Sequence, residues 1–159
     1  MEFPRESPFF PLPPDRRVAE SERCAAFFDR FPLTEGHTLV VPKRVVASLF
    51  ELDDSWQAEL WALVAAARAR LAERFRPDGF NIGLNDGAAA GQTVPHVHVH
   101  IIPRYRGDVP DPRGGIRWIM PERAAYWSAA RGSAGTPSDG RPAIAPGVTG
   151  SVPFHRLPH

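Results

Sequence analysis

One segment narrows the possible folds more than any other: His96-Val97-His98-Val99-His100-Ile101-Ile102. Side chains along an extended strand alternate between its two faces. Read as part of a strand from Thr93 to Ile102, the segment puts three imidazoles on one side. Val97, Val99 and Ile101 lie on the other, facing a core. At ~3.3 Å per residue, successive histidines stand about 6–7 Å apart. One side of this strand is therefore expected to be structural and the other to be chemical.

The rest of the chain supplies partners for both sides. Cys24-Ala25-Ala26-Phe27-Phe28 and His37-Thr38-Leu39-Val40-Val41 are apolar runs separated by turn residues, and they read as a hairpin. If the second of them pairs beside the histidine strand, His37 joins the other three. Asp54 with Gln57 fits a capping box, and Trp56, Leu60, Leu63, Val64, Ala67 and Leu71 recur at helical spacing. These predict a helix of about five turns that covers the apolar side, with Arg68, Arg70, Glu73 and Arg74 in solvent. Phe80 to Asn85 alternates as a half-buried strand does, and Pro121 to Trp127 suits a short helix. Residues 1–17 form a proline-rich arm whose Phe3, Phe9 and Phe10 are expected to pack on something. The organisation expected is an arm at 1–17, one domain at 18–130, and a tail rich in Gly, Ser and Pro at 131–159.

Composition removes several function classes. Nineteen basic and 18 acidic residues leave a formal net charge of +1, so there is no electrostatic case for nucleic acid or a membrane surface. A single cysteine, Cys24, allows no internal disulfide and points to a reducing cytoplasm. No long apolar run predicts a transmembrane helix, and the N-terminus lacks the pattern of a secretory signal.

Two chemistries compete for the histidines. Imidazoles on one face can ligate zinc, though no carboxylate or thiolate near His96, His98 and His100 completes such a site. Alternatively, a neutral imidazole with one nitrogen held by a hydrogen bond attacks phosphorus through the other. The small-residue loop Gly87-Ala88-Ala89-Ala90-Gly91-Gln92-Thr93 favours the second, because such loops bring backbone N–H groups close to phosphate oxygens. Gln92 and Thr93 either add donors to phosphate or merely close the loop. Asp29 either accepts hydrogen bonds from a ribose or merely shapes a turn.

These residues resemble the histidine-triad (HIT) superfamily. The resemblance is carried by His96 to Ile102, by Phe28-Asp29-Arg30-Phe31-Pro32 with Gly36 to Arg44, by Asn85-Asp86-Gly87, and by Ala90 to Pro95. It spans roughly residues 22–108, and the Gln92-Thr93 and Pro103-Arg104 forms look like the Fhit-like branch and its bacterial relatives. The resemblance implies an α+β, HIT-like fold with an antiparallel sheet of about five strands, two helices and a homodimer. It implies that His98 attacks the α-phosphorus of a nucleotide, adenine-containing by analogy, to give a nucleotidyl-histidine. His96 and His100 would then assist with protons and phosphate, with His37 in support. Asn85, Gln92 and Thr93 match phosphate or leaving-group positions, Asp29 a ribose position, and Phe28 lies near the expected base pocket. No cofactor is implied beyond Mg2+ carried on the substrate phosphates. Zinc-carrying members have a Cys-x-x-Cys pair, whereas Cys24 precedes Ala25, Ala26 and Phe27; Val45 also stands where many relatives have histidine. The substrates expected are dinucleoside polyphosphates. Alternatives are nucleoside phosphoramidates, phosphorolysis, or a biosynthetic nucleotide. From other classes come a nucleotide-binding signalling protein and a metalloprotein.

Overall fold

The computed structural model describes residues 7–129. The chain divides after Ala124, and the short helix Tyr126–Ala129 belongs to the C-terminal unit. The first unit carries five strands, β1 (Arg17–Glu20), β2 (Cys24–Phe28), β3 (Thr38–Pro42), β4 (Gly79–Gly83) and β5 (Val99–Arg104). They form one antiparallel sheet in the order β1-β2-β3-β5-β4. Among the described residues its one long helix, α1, spans Asp54–Phe75 between β3 and β4. The fold is α+β with the strand count expected. The tail expected at 131–159 lies outside the described residues. No helix of the described residues is long and apolar enough to cross a membrane.

Helix α1 is set by its apolar stripe. Leu60, Leu63, Val64, Ala67 and Leu71 are its buried residues, and they join one cluster with Cys24, Ala26, Val40, Val97, Val99 and Ile101. Fully burying a Leu or Val side chain stabilises by roughly 1.5–3 kcal/mol, so this face supplies the main adhesive of the fold. The cap lies one residue earlier than the sequence suggested. Asp53 accepts from Ser55 N–H and Trp56 N–H, while the Gln57 amide donates to Leu52 O. Arg76, in the left-handed region at φ 48°, ends the helix after 22 residues.

The opposite sheet face is covered differently. Phe10 and Leu12 pack on Ala25, Phe27, Leu39 and Val41. The described part of the arm, from Ser7 onward, is therefore a structural layer; Phe3 lies outside the described residues. A turn at Ser7–Phe10 and a 3-10 turn at Pro14–Arg16 lead directly into β1, which begins at Arg17, the last residue assigned to the arm.

Two departures affect the histidine segment. The strand begins at Val99, so His96 and His98 lie in the irregular stretch before it. Alternation survives nonetheless: Val97, Val99 and Ile101 all enter the core, and His100, Ile102 and Arg104 point the other way. Leu39 pairs with both Phe27 and His100, and Gly83 pairs with His100 from the far side. These four residues make a row across the sheet face that α1 does not cover.

Candidate active site

The backbone carbonyls and N–H groups around the four histidines fix which nitrogen of each ring carries its proton. His98 Nδ1 lies 2.8 Å from the His96 carbonyl oxygen. A carbonyl only accepts, so Nδ1 holds the hydrogen and Nε2 keeps its lone pair. His37 Nδ1 accepts from Leu33 N–H at 3.2 Å, so its Nε2 donates to His100 Nδ1 at 3.0 Å. His100 then carries its hydrogen on Nε2. The rings of His98 and His100 stand edge to face with centroids 5.0 Å apart, and those of His37 and His100 are 5.2 Å apart. His98 thus offers a lone pair beside the N–H that His100 offers.

His96 is placed apart from this pair. Its Nε2 donates to Pro42 O at 2.8 Å and its Nδ1 accepts from Ser7 Oγ at 2.6 Å. Both ring nitrogens are engaged by protein and the residue is 1% exposed. The equal row of three imidazoles expected from the sequence becomes a row of His98, His100 and His37, because the His96 ring is tied to Ser7 and to the Pro42 carbonyl. The metal reading also falls on other residues among those described. Donor atoms within 4.8 Å of one another belong to Asp29, His37 and His100, not to His96, His98 and His100.

Burial pushes His100 down to about 4, helped by repulsion from His98 and His37. Burial likewise lowers His37 and His96. All three are therefore neutral at pH 7, as the hydrogen bonds require. In the unfolded chain these histidines protonate near pH 6.5. Between that value and the folded one the unfolded state binds more protons, so stability falls as pH falls. From pH 7.5 to pH 5, His100 alone is expected to cost about 1–2 kcal/mol after allowance for its partial exposure. Urea midpoints at the two pH values measure this, and His100→Asn should shrink the difference.

The remaining residues singled out from the sequence fall into distinct places. Asp29 follows β2, whose last carbonyl, that of Phe28, accepts two hydrogen bonds from the Arg16 guanidinium at 3.1 and 2.7 Å. One Asp29 oxygen accepts from Phe31 N–H at 3.1 Å and shapes the turn; the other lies 3.5 Å from His37 Nδ1. Gln92 closes its loop. It accepts from Gly87 N–H and donates to Ala47 O and Val94 O. Asn85 is half-buried and Thr93 exposed on either side of that loop.

Phe28 does not belong to the histidine face. It packs on the α1 side, edge to face with Phe75 at 5.9 Å and under the Arg74 guanidinium at 5.4 Å. Alternation along β2 gives the histidine face to Phe27 instead. Phe27 contacts Phe9 at 5.6 Å between centroids, and Phe9 in turn meets His98 at 5.3 Å and His96 at 5.5 Å. Phe27 was available from the sequence by counting parity back along the strand. Ser7 was not, since 89 positions separate it from its partner.

A cavity lies farther along the same face of β5 as His100, at Ile102 and Arg104. Thr34, Asn81, Ile102, Arg104, Ile116 and Trp118 are among the residues lining a cavity of about 610 Å³. At Gly83, paired with His100 in the sheet, a Cβ would meet nothing closer than Ile116 Cδ1 at 3.8 Å.

The HIT domain family matches residues 13–107, a stretch that holds both histidine segments and all five strands of the sheet. The chain belongs to the HIT family. It is similar to a fission yeast (Schizosaccharomyces pombe) bis(5'-nucleosyl)-tetraphosphatase [asymmetrical], 40% identical over 67% of this chain and 59% of that protein. It is also similar to an AP-4-A phosphorylase of Mycobacterium tuberculosis, 41% identical over 57% of this chain and 47% of that protein. The match thus spans roughly half to three fifths of these relatives' own length. Among solved structures, the Caenorhabditis elegans NitFhit protein superposes with a TM-score of 0.59 at 40% identity, over 63% of this chain and 24% of that one.

Proposed function

We propose that this HIT protein cleaves nucleotides at the α-phosphate, with His98 Nε2 as the nucleophile. The observation that carries the reading is the tautomer set: among the four clustered histidines, His98 presents an unprotonated nitrogen held beside a free N–H. Phosphoryl-group chemistry asks for little more than an aligned nucleophile and donors aimed at the developing charge.

In the first step the Nε2 lone pair forms a bond to the α-phosphorus while the bond from phosphorus to the leaving oxygen breaks. The leaving group departs with that electron pair. The imidazole becomes cationic, and its Nδ1–H remains on the His96 carbonyl. His100 Nε2–H donates to an oxygen of the transferring group, and the His37 N–H behind it keeps His100 in the required tautomer. In the second step a water oxygen bonds to phosphorus, the N–P bond breaks back to the imidazole, and one proton is released with the nucleoside monophosphate. His96 holds its neighbour in place and moves no proton.

The nucleoside is read as lying on the Phe9 side of His98, with the Asp29 carboxylate accepting from ribose hydroxyls. Asn85 and Thr93 are assigned to the phosphates, and Gln92 shapes the loop that does so. Magnesium enters on the substrate phosphates, and the active form is a homodimer. Similarity to a tetraphosphatase and to a phosphorylase makes dinucleoside polyphosphates the first substrates to try, with water or phosphate as acceptor. Turnover of diadenosine tetraphosphate in 18O-water is expected to place the label in AMP. Label confined to the polyphosphate product would mean attack elsewhere and would sink the reading.

A further inference from the structure

We infer that Ser7 is a positioning residue for the His98 nucleophile, acting through His96. This deepens the proposed function and rests on its reading of His98.

Ser7 is buried, in an N-terminal turn that local sequence alone would leave loose. Its hydroxyl has a single directional arrangement. The oxygen accepts from Phe9 N–H at 3.3 Å, and the hydrogen goes to His96 Nδ1 at 2.6 Å. Donation by His96 Nε2 to Pro42 O fixes that direction, since it leaves Nδ1 able only to accept. The His96 ring is thereby pinned at both nitrogens, between the arm and the end of β3.

The main chain of His96 carries the consequence to the site. Its carbonyl is the acceptor for His98 Nδ1–H. The same peptide unit is held from its other side by Val97 N–H donating to Val46 O at 2.8 Å. While that carbonyl stays in place, His98 keeps its proton on Nδ1 and its lone pair on Nε2. If the His96 ring loses its tie, the peptide plane loses one of its two restraints. His98 can then take the other tautomer, in which Nε2 is protonated and cannot attack. Phe9 completes the assembly, its ring edge against His98 and its N–H on the Ser7 hydroxyl. An alanine at position 7 would leave a buried acceptor on His96 without a donor, a costly state that the ring would relieve by moving.

The test combines kinetics with imidazole spectra from long-range 1H–15N correlation. In wild type, His98 should carry its proton on Nδ1 and His96 on Nε2; a proton found on His96 Nδ1 in the folded protein at pH 7.5 overturns the inference without any variant. Ser7→Ala should give a mixture of His98 tautomers and lower kcat about tenfold, with KM within twofold because substrate contacts remain. Ser7→Thr, which keeps the hydroxyl, should recover most of both. Unchanged spectra and kcat in a folded Ser7→Ala, or a Ser7→Thr as impaired as Ser7→Ala, would refute it. If wild type turns over no nucleotide, the proposed function fails, and the spectra still decide the role of Ser7.

Discussion

His98→Asn is expected to lose at least about 10^4-fold in kcat while remaining folded. The size follows from the role: removing a group that forms the covalent bond abolishes the route itself, and losses of this order or larger accompany removal of an enzyme nucleophile. The variant should fold because the ring makes one hydrogen bond to protein, Nδ1–H to the His96 carbonyl, which an asparagine N–H can donate in its place. Val97 and Val99, the neighbours that hold the segment to the core, are untouched. Nucleotide binding should persist within a few-fold, since Phe9, Asp29 and the loops are unchanged. Steady-state rates with thermal melts and calorimetric titration check all three points. Retention of more than a tenth of wild-type kcat would remove His98 from the nucleophile position.

Leu60→Ala is expected to have the opposite profile, with large destabilisation and little change in the chemistry. Leu60 is fully buried in the cluster that joins α1 to Val97, Val99 and Ile101. Truncating such a leucine costs about 2–5 kcal/mol through lost transfer energy and the cavity left behind. Against a total stability of about 5–15 kcal/mol, that should lower the melting temperature by roughly 6–20 °C. The histidine face lies on the other side of the sheet, so kcat measured well below the new transition should stay within about twofold. Calorimetry gives the first number and low-temperature kinetics the second. A Leu60→Ala protein that melts normally would mean the α1 face is not where the stability resides.

The contrast between these variants reflects how much of the molecule can be read from local pattern. Val97, Val99 and Ile101 enter the core as their alternation requires, although the regular strand starts only at Val99. The α1 stripe is equally legible, because a 3.6-residue period survives whatever the helix packs against. The cap is less so: Asp53 and Asp54 are adjacent and chemically alike, and only the turn geometry chooses Asp53.

What the pattern missed is long-range or depends on parity. Phe28 and Phe27 are neighbours of the same type. Which of them faces the histidines follows from the register of β2 with β3, where Phe27 opposes Leu39 and Leu39 opposes His100. The Ser7 bond to His96 crosses 89 positions and leaves no periodic trace. His96, His98 and His100 look equivalent in sequence, yet their surroundings separate them. One is tied at both nitrogens, one holds a lone pair, and one relays a hydrogen bond from His37. Those distinctions come from carbonyls and N–H groups at Pro42, His96 and Leu33, and backbone groups carry no sequence signature.

The central claim is that the reaction passes through a bond between His98 Nε2 and the α-phosphorus. Rapid mixing with diadenosine tetraphosphate, quenching at alkaline pH to preserve an N–P bond, and peptide mapping by mass spectrometry test it directly. The expected result is an adenylyl adduct on the peptide containing His98, formed and consumed at rates consistent with kcat and absent from His98→Asn. Turnover with no adduct at any mixing time, or an adduct carried by His96 or His100, would contradict it.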